Sequence, residues 1–419
     1  MAAPAEDLPF HLKGNFAPVH EKVTAFDLPV EGALPPALRG LYVRNGSNPV
    51  TGRSAHWFLG HGMVHGVRLE GGRAAWYRNR FVRTPRLEDP QREAVSEDGV
   101  FDRTVSYANT HVLRHAGRIL ALEEASFPWE LDPELGTVGC FDFEGRLATA
   151  MTAHPKICPV TGEMLFFGYG QLPPYLTYQR VSSDGRLVQS EEIMVGGPTM
   201  IHDFAVTERH AIFMDLPVVF DMELALRGEM PFHWSDEYPA RMGVMPREGS
   251  DADVQWFEVA PCYVFHTLNA WNEGDQVVLD GCRITDLWRR PGDFEGSRTT
   301  LHRWRFDLAG GAGDRGDPRR ARPGLPPCGR PHPRPAPPLR LHAALRGGGR
   351  RRAGRGKAAP DRLRAGHAPG ARLRRRRAPR GAGFRAGPGR ARRRRGLGAL
   401  LRPRRGPWAE RSRGAGRLA

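Results

Sequence analysis

A short strand, a tight turn and a second short strand recur along this chain from about residue 40 to residue 308, and that recurrence limits what it can fold into. "MVHGVRLE-GG-RAAWYRNRFV" sets two alternating runs on either side of Gly71 and Gly72. "THVLRH-AG-RILALEE" does the same across Ala116 and Gly117, and "YQRVSS-DG-RLVQSEE" across Asp184 and Gly185. "CYVFHTLNAW-NEGD-QVVLDGCRI" follows the plan with a longer loop. Two-residue turns containing glycine match the twist of an antiparallel pair, so each unit predicts a hairpin. Helical periodicity is scarce, and Asp221–Met230 ("DMELALRGEM") is the best helix candidate. The expected fold class is all-β. Strands at regular spacing over so long a stretch favour a β-propeller over a single sandwich, which needs only about 100 residues. No blade repeat is visible as self-similarity.

The formal net charge of +16 averages two unlike segments. Gly311–Ala419 holds 32 Arg and one Lys against four acidic residues, a net +29. The preceding 310 residues hold 29 basic against 42 acidic residues, a net −13, together with 35 of the 37 aromatic residues. Residues 1–309 therefore read as an acidic body able to bury a core, and residues 310–419 as a low-complexity basic tail. The tail has no Val, Ile, Met, Tyr, Thr, Asn or Gln, so it cannot bury enough apolar surface to order itself, and disorder is expected. Its arginines can hold nucleic acid non-specifically by charge, but only Phe384 and Trp408 are available for base stacking. Arg, Gly, Ala and Pro share codon families that G and C alone can write. A GC-rich gene read out of frame is thus the alternative account of the tail.

Five cysteines (Cys140, Cys158, Cys262, Cys282, Cys328) in odd number and without CxxC spacing predict neither a disulfide framework nor a zinc knuckle. The N-terminus lacks a secretory pattern, and no run reaches the 18 or so apolar residues of a membrane span, so a cytoplasmic location is expected.

Three histidines lie in similar settings: His154 in "MTAHPKICPVTGEMLFFGYG", His202 in "TMIHDFAVTE" and His266 in "CYVFHTLNAWNEGD". Each stands at or near a strand end, 48 and 64 residues apart, roughly one four-stranded blade each. A propeller brings equivalent strand ends to a common axis, so three imidazoles can meet at one metal. Their ring nitrogens would then lie within roughly 4 Å of one another. On these residues alone, each is either a ligand or a half-buried ring with one hydrogen bond, and a three-histidine zinc hydrolase stays open as a reading.

"RNGSNP" (Arg44–Pro49), "HGMVHGVRL" (His61–Leu69), "ALEEASFPWELDPE" (Ala121–Glu134), "AHPKICPVTGEMLFFGY" (Ala153–Tyr169), "IHDFAVTERHAIFMDLP" (Ile201–Pro217) and "FHTLNAWNEGDQVVLDGCR" (Phe265–Arg283) together resemble the carotenoid cleavage oxygenase family, which includes carotenoid, apocarotenoid and stilbene dioxygenases. The resemblance runs from about Gly14 to Leu308. It implies a seven-bladed β-propeller, here incomplete, and a non-haem Fe(II) held by four histidines, of which His154, His202 and His266 match three. It implies glutamates that accept the ligands' outward N–H groups, with Glu124 in the first such position. Neighbouring Glu123, where stilbene cleavers tend to carry lysine, disfavours a 4-hydroxystilbene. His202 and Asp203 should point to opposite faces of a strand, which argues against Asp203 as a ligand. The implied reaction splits a conjugated C=C bond of a carotenoid or apocarotenoid with O2 into two carbonyl products. The implied partners are a lipophilic polyene, O2 and, peripherally, a membrane surface. The family's fourth histidine and two further glutamates lie downstream of where the resemblance ends. His332, His342 and His367 have no strand context, so none is assigned. A non-functional product and a nucleic-acid binder acting through the tail are the alternatives.

Overall fold

A computed structural model of the chain describes residues 8–96, 100–227, 229–290, 297–310 and 312–313, and every element below lies within them. The first sheet is organised by its Gly71–Gly72 turn. It comprises β1 (Thr24–Leu28), β2 (Gly40–Asn48), β3 (His61–Glu70) and β4 (Arg73–Phe81), in spatial order β1-β4-β3-β2. Gly71 and Gly72 take φ of 55° and 78° between β3 and β4, a left-handed pair that suits glycine and makes a tight hairpin. A short helix, α1 (Pro85–Glu88), capped by the Thr84 hydroxyl, follows.

The second sheet runs β5 (His111–His115), β6 (Arg118–Leu122), β7 (Trp129–Leu131), β8 (Thr137–Cys140) in sequence order. The third is an equal meander of β9 (Lys156–Ile157), β10 (Met164–Tyr169), β11 (Leu176–Val181) and β12 (Leu187–Glu192). The fourth opens with β13 (Ala205–Val206) and β14 (His210–Asp215). The chain then leaves for a hairpin, β15 (Val218–Phe220) and β16 (Phe232–Trp234), and returns as β17 (Arg241–Pro246) and β18 (Gln255–Glu258). That hairpin carries α2 (Met222–Leu226), inside the stretch expected to be helical. Asp221 caps it by accepting from the Glu223 and Leu224 amides. The fifth sheet is β19 (Thr267–Glu273), β20 (Gln276–Thr285), β21 (Arg298–Asp307) and β22 (Ala312–Gly313).

Among the described residues, five four-stranded antiparallel sheets are the blades of a propeller-type fold, as the hairpin pattern predicts. Two details differ from the sequence reading. The "NEGD" loop is tighter than expected, because Glu273 pairs with Gln276 and leaves only Gly274 and Asp275 in the turn. Strand β22, paired to Phe306 and Asp307, lies beyond residue 309, inside the segment read as tail. Residues 314–419, with His332, His342, His367 and Cys328, lie outside the described residues, as does the disorder expected of them.

Four apolar layers hold the five sheets face to face. Val64 and Trp76 of the first sheet meet Ala121, Trp129 and Leu131 of the second. Leu120 and Leu122 meet Met164, Phe166 and Val181 of the third. Leu165, Phe167 and Tyr178 then meet Ala211, Phe213 and Met245 of the fourth. Ile212, Met214, Met242 and Phe257 meet Val277, Leu279, Trp304 and Phe306 of the fifth. Alternate residues of β10 and β14 thus face different layers, so these strands are buried on both sides. Each large side chain so buried contributes roughly 1.5–3 kcal/mol.

Candidate metal centre

The three histidines occupy the same place in three successive sheets. His154 precedes β9 by two residues, His202 precedes β13 by three, and His266 immediately precedes β19. The spacing is 48 residues in one case and 64 in the other because the β15–β16 excursion lengthens the fourth sheet. Face-to-face packing of the sheets brings the three rings together. His154 Nε2 lies 2.9 Å from His202 Nε2, and His202 Nε2 lies 3.2 Å from His266 Nε2. All three candidate donor atoms fall within 4.8 Å of one another. Two separations therefore meet the roughly 4 Å expected of ligands sharing an ion, and the third is at most slightly wider.

His202 is the buried member, at 8% exposure, while His154 is half-buried and His266 is open to solvent on one side. Burial, aided by the neighbouring imidazoles, holds the His154 pKa well below its usual value. Burial and His202 push His266 down to about 4. His202 behaves differently: burial disfavours its charged form, but the Glu124 carboxylate outweighs that and raises its pKa. The contact responsible joins His202 Nδ1 to Glu124 Oε1. Glu124 Oε2 in turn accepts the Tyr169 hydroxyl at 2.9 Å, and burial followed by that carboxylate keeps the phenol protonated. Phe265 meets the His202 ring edge-on, with centroids 5.4 Å apart. The imidazole is thus fixed by a carboxylate at one nitrogen and by an aromatic face, leaving Nε2 aimed at the other two rings.

Of the residues singled out in the sequence, His154, His202, His266 and Glu124 come together. Asp203 stands beside them, but its oxygens meet Lys156 and Thr267 rather than the imidazole cluster. Glu123 is engaged by neighbours outside the imidazole cluster. Its Oε2 is occupied by the Ser106 hydroxyl (2.6 Å), the Tyr107 amide (3.0 Å) and the Ser126 hydroxyl (3.1 Å). Two neighbours carried no sequence signal. Tyr169 ends an apolar strand and reads as core. His111, heading β5, places its ring centroid 6.4 Å from that of His154. The cysteines at 140, 158, 262 and 282 are free thiols.

Three imidazoles with convergent Nε2 atoms, one of them oriented by a carboxylate at Nδ1, make a donor set suited to a divalent transition metal. The set fits Fe(II) and fits zinc as well. Among the described residues, no helix is long and apolar enough to cross a membrane.

Comparison with known proteins agrees with this geometry. The family model described as retinal pigment epithelial membrane protein (RPE65) matches residues 16–334. The carotenoid cleavage oxygenase of Mycobacterium tuberculosis is 39% identical over 366 residues, covering 74% of this chain and 72% of that protein. Carotenoid 9,10(9',10')-cleavage dioxygenase 1 of Phaseolus vulgaris is 41% identical over 312 residues, covering 66% of this chain but only 57% of the plant protein. Among solved structures, the lignostilbene dioxygenase of Pseudomonas brassicacearum superposes with a TM-score of 0.65 at 31% identity, covering 74% of this chain and 71% of that one.

Proposed function

The chain belongs to the carotenoid oxygenase family typified by the retinal pigment epithelial membrane protein, and from that membership we propose that its three-histidine centre holds Fe(II) and serves oxidative cleavage of a conjugated C=C bond. The single observation that carries the proposal is the convergence of His154, His202 and His266 from three separate sheets. In the reaction one polyene and one O2 give two carbonyl products, each taking one oxygen atom. Bound at the three imidazoles, Fe(II) would supply the electrons and open coordination positions that O2 needs in order to react with a closed-shell alkene.

The chain's own residues prepare that site. Depressed pKa values at His154 and His266 keep both rings neutral at pH 7, with lone pairs free for a metal. Glu124 takes the outward N–H of His202 and so selects the tautomer whose Nε2 faces the cluster. Tyr169 holds the carboxylate in place from its other oxygen.

A carotenoid is the substrate class named by the two oxygenase relatives, and a lignostilbene the one named by the structural neighbour. A lipophilic polyene taken from a membrane surface by a cytoplasmic enzyme is the version we adopt. The decisive measurement is metal content and O2 uptake of the purified protein with a carotenoid, beside His202→Ala. Iron bound by the parent and lost by the variant is expected. Full iron occupancy in His202→Ala would remove His202 from the centre, and zinc in place of iron would favour the hydrolase.

The basic tail supports a second reading, in which the chain is a non-functional product whose frame shifts near codon 309. The family's fourth histidine has no assigned counterpart here, and the tail is dominated by Arg, Gly, Ala and Pro, whose codon families G and C alone can write. Reading the nucleotide sequence around codon 309 in all frames tests this directly. A strand-patterned continuation carrying a histidine is the expected result, and its absence from every frame would end this reading.

A further inference from the structure

Each of the three histidines is followed within two residues by a side chain or amide that converges on one carboxylate. Lys156 is two residues after His154, Asp203 is next to His202, and Thr267 is next to His266. Asp203 is 2% exposed. Its Oδ1 accepts from Lys156 Nζ at 2.6 Å and from the Phe204 amide at 2.9 Å. Its Oδ2 accepts from both the Thr267 amide and the Thr267 hydroxyl, each at 3.0 Å. The Thr267 hydroxyl also reaches the Phe204 carbonyl at 3.3 Å. Every oxygen lone pair of this buried carboxylate is thus used, and the donors come from the entries to the third, fourth and fifth sheets.

We propose that Asp203 is a positioning residue for the metal centre: one buried carboxylate sets the mutual spacing of the three imidazoles by tying together the backbone segments that carry them. The physical reason lies in the topology. The ligands are 48 and 64 residues apart in sequence and belong to different sheets, so nothing local fixes one relative to another. The apolar layers fix the sheets, but β9 and β13 are only two residues long, and the segments preceding them are not strand. A charged carboxylate with four charge-assisted or directed bonds defines position better than apolar contact, which is non-directional. Burying that charge is tolerable because Lys156 compensates it and every acceptor site is filled.

The inference rests on the metal reading above, and the test separates the two. The full-length protein, its Asp203→Asn, Lys156→Met and Thr267→Val variants, and the three pairwise doubles are titrated with Co(II) against a competing chelator. Co(II) is a divalent probe whose visible absorption reports coordination geometry. Each metal-free variant is also unfolded in urea. For Asp203→Asn a loss of about 10- to 100-fold in Co(II) affinity is expected, the usual cost of removing a group that orients ligands, with an altered Co(II) spectrum. Lys156→Met and Thr267→Val should each lose a smaller factor, and that loss should largely disappear in the Asp203→Asn background, since both act through the same carboxylate. If Asp203→Asn does not fold, a coupled rather than multiplicative loss in Lys156→Met/Thr267→Val supports the proposal in its place. An unchanged spectrum and affinity in folded variants, whatever their urea midpoint, would leave Asp203 a merely structural residue and overturn the proposal. Strictly multiplicative effects would overturn it too. A parent protein that binds no Co(II) would overturn the metal reading first, before any substitution is compared.

Discussion

Glu124 has two carboxylate oxygens with different duties, one on His202 Nδ1 and one on the Tyr169 hydroxyl. Removing the acid in Glu124→Ala should weaken metal binding by about 10- to 100-fold, while Tyr169→Phe, which leaves the His202 contact in place, should cost less. Chelator competition measures both, and a Tyr169 effect equal to that of Glu124 would mean that the phenol does more than steady the carboxylate. Because Glu124 raises the His202 pKa, a proton there competes with metal to higher pH than at a free imidazole, so affinity should climb with pH. His65 makes a separate prediction, away from the centre. Burial, helped by Arg44, pushes its pKa from 6.5 to about 4. Between those values the unfolded chain holds the proton and the folded chain does not, so stability is present above pH 6.5 and is lost as pH falls toward 4. His154 and His266 work in the same direction. Urea midpoints at pH 7.5 and 4.5 should show the loss, and His65→Gln should shrink it; an equal pH dependence in that variant would exclude His65 as a source. The histidines and Glu124 were legible in the sequence because each lies in a motif with its own context. Tyr169 and the bonding of Asp203 were not. The first meets its partner 45 residues away, the second 47 and 64 residues away, and no local pattern encodes such meetings.

Among the elements, the hairpins were the legible part, since a Gly71–Gly72 or Asp184–Gly185 turn announces its geometry locally. What alternation could not give was which sheet faces which. "MLFF" of β10 and "AIFM" of β14 are continuous apolar runs because both faces are covered, and a strand of that kind reads the same whichever neighbour it meets. Helix α1 has a single turn and no periodicity to detect. Gly168, near the end of β10, shows how tightly these sheets meet. A Cβ there would lie 2.1 Å from the Ala150 carbonyl oxygen, an atom of the backbone that cannot swing aside. Gly168→Ala should therefore destabilise by at least the roughly 1–3 kcal/mol typical of overpacking. Gly170→Ala, whose Cβ would find its nearest atom at 3.4 Å, is the control and should stay within about 0.5 kcal/mol. Urea denaturation of the pair checks this, and equal midpoints would show that the β10 edge yields more than its backbone contact suggests.

On the scale of the whole molecule, a −13 body is joined to a +29 tail, and the two should behave as separable partners for charge. Deleting residues 314–419 is expected to abolish salt-sensitive binding to nucleic acid while leaving Co(II) affinity of the body unchanged. Filter binding across a salt series and chelator competition measure the two, and nucleic-acid binding that survives the deletion would assign it to the body. The three imidazoles also come from three sheets laid down one after another along the chain. At roughly 5 to 20 residues per second, a ribosome needs about 8 to 30 s to travel from His154 to the end of β21. Within that interval, the 64 residues from His202 to His266 take about 3 to 13 s, during which the nascent chain carries two imidazoles and a carboxylate with no third ring to complete them. If the centre holds metal as proposed, capture is timed by the synthesis of the fifth sheet, and a divalent ion that arrives earlier meets an unfinished binding site.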